Sequence, residues 1–173
     1  MGLLDSVSDL LKQYTSTGSQ NSADAANHFD QVSQAASPGM IAEGLSVVFR
    51  SNQTPAFGSL VSNLFSQSNG EQKAGLLNEL LSSVNPGMLA QLAGGSALAG
   101  LLKGAGTQVT SDQAQSVSPE MVQQLAAHAE KNDPSVVDKA SAFFAQHPTL
   151  IRTLGGAALS IALAKVAERQ KAA

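Results

Sequence analysis

The chain has 173 residues, enough for one domain with an appendage; 43% are hydrophobic, 4% aromatic and 13% charged, and the formal net charge is −3. Without cysteine it can form neither disulfides nor thiolate metal sites, and its ten dispersed Lys and Arg residues argue against a nucleic-acid binder, which needs clustered positive charge to displace counterions. The charged share is roughly half the usual one, leaving a surface of Ser, Gln, Asn, Gly and Ala that repels its own copies weakly and permits self-association.

The chain opens with MGLLDSVSDLLKQY. At helical spacing, Leu3, Leu4, Val7, Leu10, Leu11 and Tyr14 fall within an arc of about 120°, while Asp5, Ser6, Ser8, Asp9, Lys12 and Gln13 fill the opposite side. This predicts an amphipathic docking helix over residues 1–14. So short a helix is marginal alone in water, so the stripe must find an apolar surface, either in its own core or on a neighbouring copy. TSTGSQNS, residues 15–22, reads as a flexible linker able to stretch about 25 Å, far enough to reach such a neighbour. MGLLDS also matches the loose N-myristoylation pattern through Gly2 and Ser6, but two Asp and one Lys are the wrong charge for an anionic lipid surface. No basic n-region or cleavable apolar h-region is present, so the expected location is cytoplasmic, with export by another route left open.

Residues 23–173 read as a single all-helical domain. Five of the six prolines follow a residue type that caps helix N-termini: Ser37-Pro38, Thr54-Pro55, Asn85-Pro86, Ser118-Pro119 and Asp133-Pro134. In each pair the side chain can accept from an orphan N–H, and proline lacks the N–H that would have gone unpaired at the first helical position. His147-Pro148 is a sixth pair with a poorer cap. Further starts are expected near Ser22, near Ser68 and Asn69, and at Thr110, where Gln113 stands three residues on as a capping-box partner. Apolar spacing between these marks is helical, as in Leu76, Leu77, Leu80, Leu81 and Val84, or Val136, Val137, Ala140, Phe143 and Phe144, and no sustained alternation suggests a strand. Nine or ten helices, mostly of ten to fifteen residues, are expected.

SPGMIAEGL at Ser37, NPGMLAQLA at Asn85 and SPEMVQQLA at Ser118 share a cap, a proline, a small or acidic residue, a methionine and an aliphatic. Their spacings of 48 and 33 residues are unequal, so they mark helix-start chemistry used three times, with Met filling the core, rather than a solenoid.

MGLLDSV is similar to the start of YidB-like bacterial proteins. The run HFDQVSQAASPGMIAEGLSVVFRSNQTPAFGSLVSNLFSQSNGEQKAGLLNELL, with SPEMVQQLAAHAE and HPTLIRTLGGAALSIAL after it, resembles a group of bacterial all-helical proteins without an assigned activity, from about His28 onward. These resemblances imply an all-helical fold and a bacterial origin, and supply no catalytic residues.

Chemistry-bearing patterns are weak. His28 lies four residues after Asp24 on one helical face, which suits an exposed pair better than a metal site; His128 lies near a helix end, where the dipole favours a cation, and His147 reads as a cap. No serine stands in a G-x-S-x-G elbow. GGSALAGLLKGAG, residues 94–106, lacks P-loop spacing because Lys103 is followed by Gly104, and it reads as a close-packing or hinge segment. FRSNQTPAFG reads as a polar loop in which Arg50 caps helix carbonyls.

The last helix is expected from Pro148 to about Gln170. Leu150, Ile151, Leu154 and Ile161 occupy one side, and Leu159, Leu163 and Val166 lie nearly opposite, with Gly and Ala between them. Both faces want cover, which suits either a central core helix or one shared with a subunit interface; the uncharged run 153–164 is too short to span a membrane. The sequence therefore predicts a non-enzymatic, self-assembling structural protein that forms a homo-oligomer or filament by exchanging its N-terminal helix. Its interface would be Leu3, Leu4, Val7, Leu10, Leu11, Tyr14, Leu159, Leu163 and Val166, its partner itself, with no cofactor, metal, nucleic acid or stable membrane insertion. The alternative is a cytoplasmic monomeric or dimeric helical interaction module.

Overall fold

The computed structural model describes residues 24–92 and 108–172, with residues 5, 9, 10 and 12 of the opening segment. Among the described residues from 24 onward, ten α-helices run in order: α1 Ala25–Ala35, α2 Pro38–Arg50, α3 Phe57–Gln67, α4 Gly70–Ser82, α5 Pro86–Leu92, α6 Ser111–Gln115, α7 Pro119–Asn132, α8 Val136–Ala145, α9 Pro148–Ile151 and, after a 3-10 turn over Arg152–Leu154, α10 Gly156–Ala172. The fold is all-α, with no strand among the described residues.

Most of these helices begin at the expected marks, and three of the starts are closed by side-chain caps. Asn69 accepts from the Gln72 N–H at 2.9 Å while Gln72 Oε1 accepts from the Asn69 N–H at 3.0 Å, a reciprocal capping box at the head of α4. Thr110 and Gln113 build the same device at α6. The Ser118 hydroxyl accepts from the Met121 N–H at 3.3 Å to open α7, whereas Ser37 has the extended backbone of a cap without the side-chain bond. Met40, Met88 and Met121 are each half-buried in the first turn of a proline-led helix, at the rim of the packing rather than in its centre.

Two starts differ from expectation. Thr54 does not open a helix: α3 begins at Phe57, and the Thr54 hydroxyl turns back to donate to Val48 O at 2.6 Å and Ser51 O at 3.2 Å, satisfying carbonyls left over at the end of α2. At Asp133 the carboxylate accepts from the Ser135 N–H at 3.0 Å, a turn that delays α8 to Val136.

Chain contacts divide the described residues into two compact units, one holding residues up to Ala56 together with Ser141 onward, the other Phe57–Ala140. In the first, α10 packs along α2 and against α1. Gly44 on α2 makes this approach close: a Cβ there would lie 2.9 Å from Ala162 O and 3.3 Å from Val166 Cγ2. Phe144 is buried edge-on between Phe49 and Phe143, with ring centroids at 6.2 and 5.5 Å. Ion pairs Arg152–Asp30 at 3.0 Å and Arg169–Glu43 at 2.6 Å decorate the rim.

In the second unit α3 packs on α7, and α4 on α6 and α7. Gly58 is the close-approach residue of α3, with a hypothetical Cβ 2.6 Å from Gln123 O. Ser62 Oγ donates to Pro119 O at 2.8 Å across the same seam. The chain entering α6 is held by Asn78, whose Oδ1 accepts from the Val109 N–H at 2.7 Å and whose Nδ2 donates to Val109 O at 3.4 Å. That side chain replaces the missing backbone partner of a buried loop residue.

The helix expected from Pro148 to about Gln170 is interrupted. Gly155 adopts φ 87° and ψ 159°, a region essentially restricted to glycine, and Thr153 Oγ1 donates to Leu150 O at 2.6 Å where helical hydrogen bonding stops. The physical reason is the two-faced pattern. A straight helix turns Leu150 and Ile151 away from Leu159, Leu163 and Val166, whereas the break lets both sets bury in one unit.

Candidate functional site

Of the N-terminal stripe, Leu10 is described: it is helical and half-buried. Asp5, Asp9 and Lys12 are helical and exposed, and Lys12 Nζ meets Asp9 Oδ1 at 3.0 Å, a solvated pair of small energetic consequence. Leu3, Leu4, Val7, Leu11 and Tyr14 lie outside the described residues, as do the linker 15–22 and the glycine-rich stretch 94–106. At the other end, Leu159, Leu163 and Val166 are 1%, 0% and 2% exposed. In the single chain their surface is covered by the chain's own first unit, on the α10 helix that packs on α2.

The most connected polar constellation joins the end of α4, the end of α7 and the start of α8. Lys139 Nζ donates to Ser83 Oγ at 3.1 Å and to Asp133 Oδ2 at 3.4 Å. Asp133 Oδ1 accepts from the Ser135 hydroxyl at 2.6 Å, Asn132 Nδ2 donates to Ser83 O at 3.0 Å, and Asn85 Nδ2 donates to Asn132 Oδ1 at 2.9 Å. Lys139 Nζ is shared between the Ser83 hydroxyl and the Asp133 carboxylate, and the Ser83 hydroxyl in turn donates to Glu79 O at 3.4 Å, so both groups are engaged in structural contacts. The network works as a corner lock. Sequence reading missed it because Ser83 and Lys139 are 56 residues apart, and no local pattern connects them.

The Asp133 carboxyl is held below the usual carboxylate range, chiefly by the Ser135 hydroxyl and then by the Ser135 N–H, which outweigh the opposing effect of desolvation, with a lesser contribution from Lys139. Because its folded pKa is depressed, the stability it contributes is present above the ordinary value and is lost as pH falls through the folded one. Asp133→Asn is therefore expected to lower the urea midpoint at neutral pH, and the gap from wild type should narrow steadily below about pH 4. A gap that stays constant down to acid would rule out this ionised role.

The histidines are separate. His28 is half-buried one turn after Asp24, whose backbone carbonyl accepts from its N–H at 3.0 Å, and His128 is half-buried on α7. His147 precedes α9 with its ring 4.9 Å from that of Phe143. Among the described residues no three His, Asp or Glu side chains are grouped to hold a metal, and no helix is long and apolar enough to cross a membrane. Arg50 is exposed in the last turn of α2, where Thr54 takes the Val48 carbonyl. No protein-family model matches the chain, and neither a curated protein nor a solved structure matches it.

Proposed function

We propose that this chain is a non-enzymatic structural protein that assembles with copies of itself, its opening helix docking on a neighbouring subunit. The observation that carries the reading is in the sequence: Leu3, Leu4, Val7, Leu10, Leu11 and Tyr14 recur at helical spacing opposite an acidic polar set, ahead of the Ser-, Thr- and Gly-containing stretch 15–22. Burial of such a stripe contributes on the order of 5–10 kcal/mol before ordering entropy is subtracted. Low surface charge leaves little repulsion to oppose it. Leu159, Leu163 and Val166 are buried within the single chain, which leaves the N-terminal stripe as the surface for this docking. A helix donated head-to-tail closes into a ring or propagates as a filament according to the rotation between subunits. A bacterial setting belongs to the same proposal, resting on the likeness of MGLLDSV to YidB-like starts.

The half-burial of Leu10 within the single chain favours a second reading, in which the helix covers its own chain and the protein is a monomeric or dimeric interaction module. Leu10→Asp separates the two. Under the assembly reading it should weaken self-association by about 3 kcal/mol, roughly a hundredfold in Kd, with helix content retained. Light scattering and negative-stain microscopy, on this variant and on a chain beginning at Ser22, provide the measurement. A full-length monomer at high concentration would overturn assembly, and global unfolding of Leu10→Asp would assign the helix to its own core.

A further inference from the structure

The interrupted C-terminal helix carries an inference that does not depend on the N-terminal segment. We propose that α10 is an exchangeable element: it leaves its own unit by straightening the turn at residues 152–156 and docks on α2 of a second copy, giving a swapped dimer or a longer chain of copies.

The turn is the first observation. Arg152, Thr153 and Gly155 are exposed and Leu154 and Gly156 half-buried, so remodelling it uncovers little apolar surface. Among the described residues, its long-range polar tie is the Arg152–Asp30 pair, which is partly solvated and weak. The bent form depends on Gly155 at φ 87° and ψ 159°, with no atom within 4 Å of a would-be Cβ.

The second observation is the conflict between local and tertiary preference. From Pro148 to Ala172 the sequence contains no further proline, and its periodicity reads as one helix. Straightening restores the backbone hydrogen bonds that the turn forgoes. A straight helix then presents Leu150 and Ile151 to one side and Leu159, Leu163 and Val166 to the other. That two-faced distribution suits a helix held by its own unit on the first side and by a second copy on the other.

The third is that exchange reproduces the closed contacts. The Gly44 notch against Ala162 and Val166 and the Glu43–Arg169 pair form equally well between chains. The balance between closed and exchanged forms therefore lies in the turn and in the entropy of association. Reciprocal exchange closes a dimer, and one-way exchange leaves ends that add further copies.

The test uses the full chain, which has no cysteine of its own. With Glu43→Cys and Arg169→Cys, a short bismaleimide links these positions within one chain in the closed form and between chains in the exchanged form, and a denaturing gel distinguishes the products. Gly155→Ala strains the bent turn and favours the straight helix, so it should raise the interchain product roughly tenfold or more. Retained helical circular dichroism with the link still confined to single chains would overturn the proposal. Should Gly155→Ala fail to fold, the Gly155 chain unfolded in urea and refolded at high and low concentration decides: concentration-dependent interchain links support exchange, and intrachain links alone overturn it. Docking by the N-terminal helix leaves the 43–169 link within one chain, so the two assembly routes are read separately.

Discussion

Replacing Leu163 with alanine is expected to lower the unfolding free energy by about 2–5 kcal/mol, a large part of the ~5–15 kcal/mol that holds an ordinary domain together. Leu163 is fully buried on α10, one residue after Ala162, whose backbone comes closest to Gly44. The urea midpoint should fall with the slope of the transition unchanged. The loss should also be the same over a roughly hundredfold range of protein concentration if the chain's own core is what Leu163 supports. A loss that grows on dilution would assign Leu163 to a contact between copies.

Gly58→Ala should cost about 2–3 kcal/mol although alanine is the better helix former by about 1 kcal/mol. The new methyl would stand 2.6 Å from Gln123 O and 3.5 Å from Ala127 Cβ, and a backbone carbonyl cannot rotate aside as a long side chain can. The helices must separate, stretching the Ser62 to Pro119 hydrogen bond and the Gln123 to Ser59 bond with them. Gly39→Ala is the internal control: it lies in the first turn of α2 with no atom within 4 Å of a Cβ, and should be neutral or stabilise by up to about 1 kcal/mol. Thermal melts of the two variants should move in opposite directions. A neutral Gly58→Ala would mean that α3 and α7 have room to yield.

Local chemistry is legible in the sequence. Thr110 and Gln113, or Asn69 and Gln72, are three residues apart, and the bonds they make close within one turn, so spacing alone forecasts them. Thr54-Pro55 shows the limit. The dipeptide has the chemistry of a start, yet its hydroxyl serves the preceding helix, because a carbonyl six residues back was also in reach. Only folded geometry shows the Thr54 hydroxyl on the Val48 carbonyl. The Ser83–Lys139–Asp133 corner was invisible for a related reason, since its members become neighbours only after α4, α7 and α8 have packed.

The C-terminal helix separates the two kinds of information most clearly. Its sequence by itself determined that apolar residues at 150, 151, 159, 163 and 166 would demand cover on two sides, just as the chain's prolines and caps determined an all-helical fold. Only the tertiary structure decided how both demands are met, by breaking the helix at Gly155 so that both sets bury in one unit assembled from the two ends of the described chain. Helical periodicity and capping are properties of residues a few positions apart, and the chain carries them wherever it goes. The choice between a straight helix and a bent one depends on surfaces supplied by α1 and α2 more than a hundred residues earlier, and those surfaces come together only on folding.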